Sequence, residues 1–449
     1  MLTLLTIAAI LLLYGIVSKP FDARGITSAM VFTVAGVVTG ASVLGLIDVD
    51  LESSTAELLT TLALVLLLFS DAARLDLRRL RRQAAWPVRL LLVGLPLAMI
   101  AGTGVGLLLF PGMALASVAL LAIMLSSTDA ALGQRVITDE AVPARVRQTL
   151  DVESGLNDGL AVPFFLVALD IAMAELTTGV TWAVVGNAAE QIGWGMLAGI
   201  VAGGVGGLLY RQADKRGWLE GQWRQIVTLA AALLAYAAAV ELGGSAFIAA
   251  FVGGMTLGAV SKQHGLRLTL FVEEAGALLA AVVWIAFGAV AIAWAWPHIT
   301  WQVVVYALLS LTLVRMVPVA IAMSRRGARL PTVAFIGWFG PRGLASIVFA
   351  LIALERGVPE AETLLTTVVV TVALSVALHG LTSVPLIAVY GRWYAAHAEE
   401  HPQAHEAKPA EVPRQRNSLG VDEASAALSH WHGAGGASDR RGGREGEAG

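Results

Sequence analysis

Long apolar runs follow one another along this chain, separated by short polar, charged or glycyl interruptions. Each is about as long as the ~20 residues a helix needs to cross the hydrocarbon layer of a bilayer. Turn and charge signals divide residues 1 to 392 into thirteen segments, approximately 2–17, 26–47, 54–72, 89–110, 113–133, 149–175, 181–209, 224–242, 245–260, 270–295, 302–323, 331–354 and 361–390. A soluble core helix is usually shorter and carries a polar stripe. The pattern therefore predicts an all-α membrane protein with about 13 transmembrane helices. The least marked boundary is Gly243-Gly244, where the eighth and ninth segments are nearly continuous. Leu2 to Val17 lacks a basic leading region and an A-x-A-like cleavage site before Lys19, so it reads as a first span and not as a signal peptide.

The basic residues test this count independently. With the amino terminus outside, the alternate loops on the cytoplasmic side hold 20 of the 30 Lys and Arg, from Lys19 and Arg24 to Arg325, Arg326 and Arg329. The opposite loops hold Arg356 alone. Lys and Arg stay on the cytoplasmic side during insertion, and a miscounted span would scramble the asymmetry. Thirteen spans then place the carboxyl terminus in the cytoplasm. Residues 393–449 are rich in Gly, Ala, Glu, Arg and His and poor in large apolar side chains, which predicts a disordered cytoplasmic tail. His397, His401 and His405 recur there every four residues, but Pro402 interrupts any helix that would align them.

Thirteen spans divide into a repeat over about 2–175, a linker helix over 181–209 and a second repeat over about 224–390, inverted relative to the first. Secondary transporters are often built this way, with sites where helices are broken near the midplane. The fifth span of each half carries an interruption: Ser126-Ser127-Thr128-Asp129 in the first, Gly337 to Gly343 in the second. These predict broken, crossing helices. Gly195, Gly199, Gly203 and Gly207 form a ridge on the linker helix that lets another backbone approach closely.

Charge inside the spans narrows the chemistry. A carboxylate at membrane depth costs at least ~2.5 kcal/mol, so ionisable residues there are few and usually functional. Asp129 lies at the first break, and the sixth span contains Asp151-Val152-Glu153-Ser154-Gly155-Leu156-Asn157-Asp158. At helical spacing Ser154 and Asp158 share a face, and Glu153 and Asn157 form the adjacent stripe. Two carboxylates, a hydroxyl and freed carbonyls make an all-oxygen site of the kind hard cations prefer. Burial raises a carboxyl pKa and a nearby cation lowers it, so such a site holds either a proton or a cation. The bland alternative is a hydrogen-bonded polar seam between helices. Arg315, mid-span, needs an acidic partner, and Glu153 is the candidate. Arg342, at the second break, is placed to stabilise exposed carbonyls or to balance negative charge. Asp71, Asp170, Glu241, Glu273 and Glu274 fall nearer span ends and read as interfacial.

Composition excludes other classes. Of 449 residues 57% are apolar and 14% charged, about half the charge of a soluble domain. No basic domain exists to bind nucleic acid, and the absence of cysteine removes thiolate catalysis and disulfides. An intramembrane hydrolase would need a nucleophile–base pair or metal ligands in its spans. The span histidine, His379, has no such companion in the sequence.

The stretch 127–163, STDAALGQRVITDEAVPARVRQTLDVESGLNDGLAVP, resembles the signature region of sodium/proton antiporters of the cation:proton antiporter-1 family. FSDAARLDLRRLRR (69–82), GGSAFIAAFVGGMTLG (243–258) and FGPRGLASIVFAL (339–351) are similar to further family segments. The resemblance implies a homodimer in the cell membrane that exchanges Na+ or Li+ for H+ by alternating access, with no cofactor. K+/H+ exchange is the alternative, since selectivity depends on cavity size, and a non-transporting membrane sensor is a further one. It implies that Asp158 is the essential ion- and proton-binding carboxylate and that Thr128, Asp129 and Ser154 help coordinate the cation. It makes Asn157 the neutral member of an Asn-Asp pair, associated with electroneutral one-for-one exchange, and pairs Glu153 with Arg315. Ala130 stands where the family commonly has proline, and Pro341 makes GPRG of the usual GLRG.

Overall fold

The computed structural model describes residues 1–47, 54–75, 85–177, 182–220, 222–261, 266–324, 327–400 and 406. All belong to one compact unit, Met1–Glu411. Among them every regular element is a helix. Nine helices are long and apolar enough to cross a membrane, and four shorter apolar ones of 10–17 residues complete the set. Together these coincide with the thirteen apolar runs of the sequence.

In chain order the helices are α1 (Leu2–Ala23), α2 (Ser28–Thr39), α3 (Ser54–Arg74), α4 (Ala85–Leu109), α5 (Leu115–Met124) and the short α6 (Gln134–Thr138). There follow α7 (Ala144–Thr177), α8 (Trp182–Lys215), α9 (Trp223–Glu241), α10 (Ala246–Ser261) and α11 (Leu268–His298). The last four are α12 (Trp301–Met323), α13 (Leu330–Trp338), α14 (Leu344–Glu355) and α15 (Ala361–Glu400). The faint boundary at Gly243-Gly244 is a helix end. Gly243 adopts φ +71°, and the Gly244 N–H donates to the Ala239 carbonyl at 2.7 Å, closing α9 with a left-handed cap.

The glycine ridge of α8 faces α10. A Cβ at Gly195 or Gly199 would lie 2.7 or 2.6 Å from the carbonyl oxygens of Ser245 and Ala249, and one at Gly203 would meet the Gly253 carbonyl. Backbone therefore packs on backbone along this pair. On the outer faces Leu4, Leu5, Leu12 and Ile16 of α1, and Leu197, Ile200, Val205 and Leu208 of α8, are exposed. Apolar surface of that extent suits contact with lipid or with another apolar face.

Two of the thirteen runs are interrupted where their sequences predict, and a third breaks for one residue at Thr312. α5 stops at Met124 and irregular chain follows before α6, while α13 and α14 are separated by Phe339–Gly343. Below them a second apolar cluster joins Trp86, Val136, Val146, Leu150, Phe335, Phe339 and Tyr390.

The sequence places the end of the membrane domain at residue 392; α15 itself continues to Glu400. Trp393 and His397 prolong the face begun by Tyr390, their rings stacking in turn at 5.5 and 5.2 Å between centroids. Tyr390 itself stacks on Phe335 at 4.2 Å. Farther on, Glu406 is buried and accepts hydrogen bonds from the Arg329 N–H at 2.7 Å and the Thr332 hydroxyl at 3.1 Å. The rest of the tail expected to be disordered, with His401 and His405, lies outside the described residues, as do Arg78, Arg79, Arg81 and Arg82.

The α8–α10 contact leaves no room for a side chain, and overpacking of this kind costs roughly 1–3 kcal/mol or more. Gly203→Val is expected to lower the thermal unfolding midpoint of the detergent-solubilised protein, whereas Gly186→Val, where nothing lies within 4 Å, leaves it unchanged.

Candidate ion site

The two interrupted helices meet at their breaks, and each supplies the hydrogen-bond partners the other lacks. A helix that stops leaves carbonyls and N–H groups unpaired, at a cost that burial makes severe. From the second break, Arg342 Nη1 donates to the carbonyls of Ser126 and Ser127, each at 3.0 Å. Ser346 Oγ donates to the Met124 carbonyl at 2.7 Å. In return the Asp129 N–H donates to the Pro341 carbonyl at 2.8 Å, and Asp129 Oδ2 accepts from the Leu344 N–H at 3.1 Å, at the start of α14. Asp129 Oδ1 accepts from the N–H groups of Ala131 and Leu132 at 2.7 and 3.2 Å. Its carboxylate thus binds three backbone amides and caps a helix N-terminus, where negative charge is favoured.

α7 closes the site from the side. Ser154 Oγ donates to the Thr128 carbonyl at 2.7 Å. The Asn157 amide grips Thr128 twice, its Oδ1 accepting from the Thr128 N–H at 3.3 Å and its Nδ2 donating to the Thr128 hydroxyl. Asp158 lies one turn beyond Ser154. Its Oδ1 is buried and has no hydrogen-bond partner among the described residues. The charges acting on it are Asp129 and Asp71, which repel, and Arg342, which attracts. Arg342 is fully buried, and its Nε and Nη2 have no partner among the described residues.

Arg315 and Glu153 face each other in a bidentate pair, Nη1 to Oε1 at 2.5 Å and Nη2 to Oε2 at 2.7 Å. Both side chains are almost wholly buried. A Cβ at Gly340 would strike the Arg315 guanidinium and one at Gly343 the Asp129 carboxylate, so the glycines of FGPRG are there for space. A cleft lined by Asp129, Ala130, Asp151, Ser154, Phe339 and Pro341 reaches the crossing from the side of α6.

All eight residues singled out in the sequence therefore come to one region. Thr128, Asp129, Ser154, Asn157 and Asp158 gather at the first break, Arg342 spans the two breaks, and Glu153 with Arg315 lies under the second. Two of the acids near span ends have partners in the interior of the bundle. Asp71 acts on Asp158, and its Cβ lies 3.7 Å from where a Cβ on Gly155 would be. Glu273 is buried and ion-paired with Arg74, which is also 3.8 Å from Asp71. α3 runs two residues past the predicted end, to Arg74. Asp170 bonds to Asn187 and Gln191.

Residues 7–389 match the sodium/hydrogen exchanger transmembrane family. The chain belongs to that family. Sodium/hydrogen exchanger family membership makes it an integral multi-pass membrane protein of the monovalent cation/proton antiporter class. It is 26% identical over 402 residues to the K(+)/H(+) antiporter NhaP of Alkalimonas amylolytica, covering 87% of this chain and 67% of that one. It is 25% identical over 370 residues to the low-affinity Na(+)/H(+) antiporter NhaS1 of Synechocystis, covering 78% of this chain and 68% of the relative. Against the K(+)/H(+) antiporter NhaP2 of Shewanella sp. strain ANA-3, 27% identical, it spans only 61% of the relative's length. The fold is that of the sodium proton antiporter MjNhaP1 from Methanocaldococcus jannaschii, with a TM-score of 0.70 at 18% identity over 84% of this chain and 98% of that one.

Removing one partner of a buried ion pair leaves an uncompensated charge and costs about 3–5 kcal/mol, whereas replacing both with apolar side chains is close to neutral. Arg315→Met and Glu153→Leu are each expected to destabilise the protein strongly, and the double variant to recover most of the loss. Thermal unfolding of the three solubilised variants reads this directly.

Proposed function

We propose that this protein exchanges a monovalent cation for protons at the crossing of the two breaks, with Asp158 as the group for which cation and proton compete. The observation that carries the reading is the buried, unpartnered oxygen of Asp158 beside oxygens already held in place. A carboxylate with a buried, unpartnered oxygen is costly, and either a proton or a cation relieves it. Ser154 spends its proton on the Thr128 carbonyl and keeps its lone pairs for a cation. Thr128 is fixed on three sides by Ser154 and Asn157. Asp129 contributes charge while its oxygens hold the loop and the start of α14. Asp71 is a third acidic group within electrostatic reach.

The basic-residue asymmetry supports an outside amino terminus and a cytoplasmic carboxyl terminus in the cell membrane. In that orientation the cleft beside α6 opens toward the cytoplasm, an inward-facing arrangement of an alternating-access cycle. Asn157 is neutral and engaged with Thr128, so the pair with Asp158 holds one titratable carboxylate, which favours one-for-one, electroneutral exchange. Na+, with Li+, is the leading cation on family resemblance. K+ is the second reading, favoured by relatives named K(+)/H(+) antiporters. Assembly as a homodimer belongs to the same reading.

In proteoliposomes, Asp158→Asn is expected to abolish cation-dependent proton movement; exchange with wild-type kinetics in that variant would overturn the assignment. A panel of Na+, Li+ and K+ against pH, with and without an imposed membrane potential, separates the two cation readings. Insensitivity to potential is the expected result, and Asn157→Asp is expected to introduce a dependence on it.

A further inference from the structure

One of the helix hydrogen bonds missing at the second break is replaced by side chains of another helix. In an unbroken α-helix the N–H of Arg342 would donate to the carbonyl of Trp338, four residues earlier. Both groups are diverted to side chains of α15. The Arg342 N–H donates to Ser375 Oγ at 2.7 Å. The Trp338 carbonyl lies 2.8 Å from His379 Nε2 and also accepts from the Gly340 N–H at 2.9 Å. Ser375 and His379 are one turn apart, and Ser375 Oγ is 3.2 Å from His379 Nδ1. Both are buried.

The bonding pattern sets the proton on His379. A carbonyl at 2.8 Å requires a donor, so Nε2 carries hydrogen toward Trp338. Nδ1 lies 3.2 Å from Ser375 Oγ, which accepts the Arg342 N–H, and 2.9 Å from the Ser375 carbonyl. The bond to Trp338 is independent of which of these Nδ1 engages. Trp338 is tied to the same helix again, its Nε1 donating to Thr382 Oγ1 at 3.0 Å.

We propose that Ser375 and His379 are positioning residues of the ion site, replacing the missing Arg342-to-Trp338 rung so that the second break stays unwound. The consequence lies at Arg342, whose backbone is held by Ser375 while its guanidinium supports the Ser126 and Ser127 carbonyls. Neither residue touches the cation; both act through the break. The inference rests on reading the crossing as the ion site.

The test is cation-dependent proton exchange by the full chain in proteoliposomes, with Na+ and K+ as probes. Ser375→Ala strands a buried N–H and His379→Ala a buried carbonyl, so each is expected to raise the apparent KM for the cation about tenfold while the maximal rate stays within about twofold. His379→Gln places an amide N–H near the Nε2 position and is expected to restore KM to within about threefold of wild type. A folded Ser375→Ala or His379→Ala protein with wild-type KM overturns the proposal. So does a His379→Gln protein no better than His379→Ala. Should His379→Ala fail to assemble, Ser375→Ala still decides. Asp158→Asn, measured alongside, separates the two ideas: retained exchange there overturns the site itself, whereas its loss combined with unchanged KM in Ser375→Ala overturns only the positioning role.

Discussion

Unwound backbone in an apolar interior must find hydrogen-bond partners, and this structure is arranged around meeting that requirement at two places at once. Met124, Ser126, Ser127 and Thr128 present carbonyls that no helix satisfies. Three side chains reach them from elsewhere: Ser346 for the first, Arg342 for the next two and Ser154 for the last. The reverse debt, at Pro341 and Leu344, is met by Asp129. Neither break would be tolerable alone at this depth.

The same bonds order the charges. Arg342 is buried because it has carbonyls to serve, and its positive charge then acts on Asp158. Glu153 and Arg315 neutralise each other beneath Gly340 and take no charge from the crossing. The negative groups left around the crossing are Asp158, Asp129 and Asp71, of which Asp129 is occupied with amides. Asp158 is thereby set apart as the carboxylate with an uncommitted oxygen.

Much of this was legible in the sequence, for physical reasons. Spans show as apolar runs because lipid demands continuous helix, and the breaks show because Ser-Ser-Thr-Asp and Gly-Pro-Arg-Gly cannot continue one cheaply. Arg315 and Glu153 stand out because an isolated buried charge is so costly that each implies a partner. What could not be read was direction. Nothing in Asp129 says that its oxygens cap α14, and nothing in Arg342 says which carbonyls it serves 215 and 216 positions away. The reach of Asp71 to Asp158 could not be read either, because position along a helix does not report what packs beside it. The continuation of α15 was missed because Trp393 and His397 were counted as tail composition and not as a prolonged face.

Shared hydrogen bonds also couple the two halves mechanically. Each break takes partners from the other, so a substitution in one segment disturbs the backbone of the other. A change at Arg342 is felt at Ser126 and Ser127, and a change at Asp129 at Leu344. The carbonyl-rich crossing is one unit written in two distant places, and Ser154 and Asn157 of α7 and Ser375 and His379 of α15 are bonded into it as well.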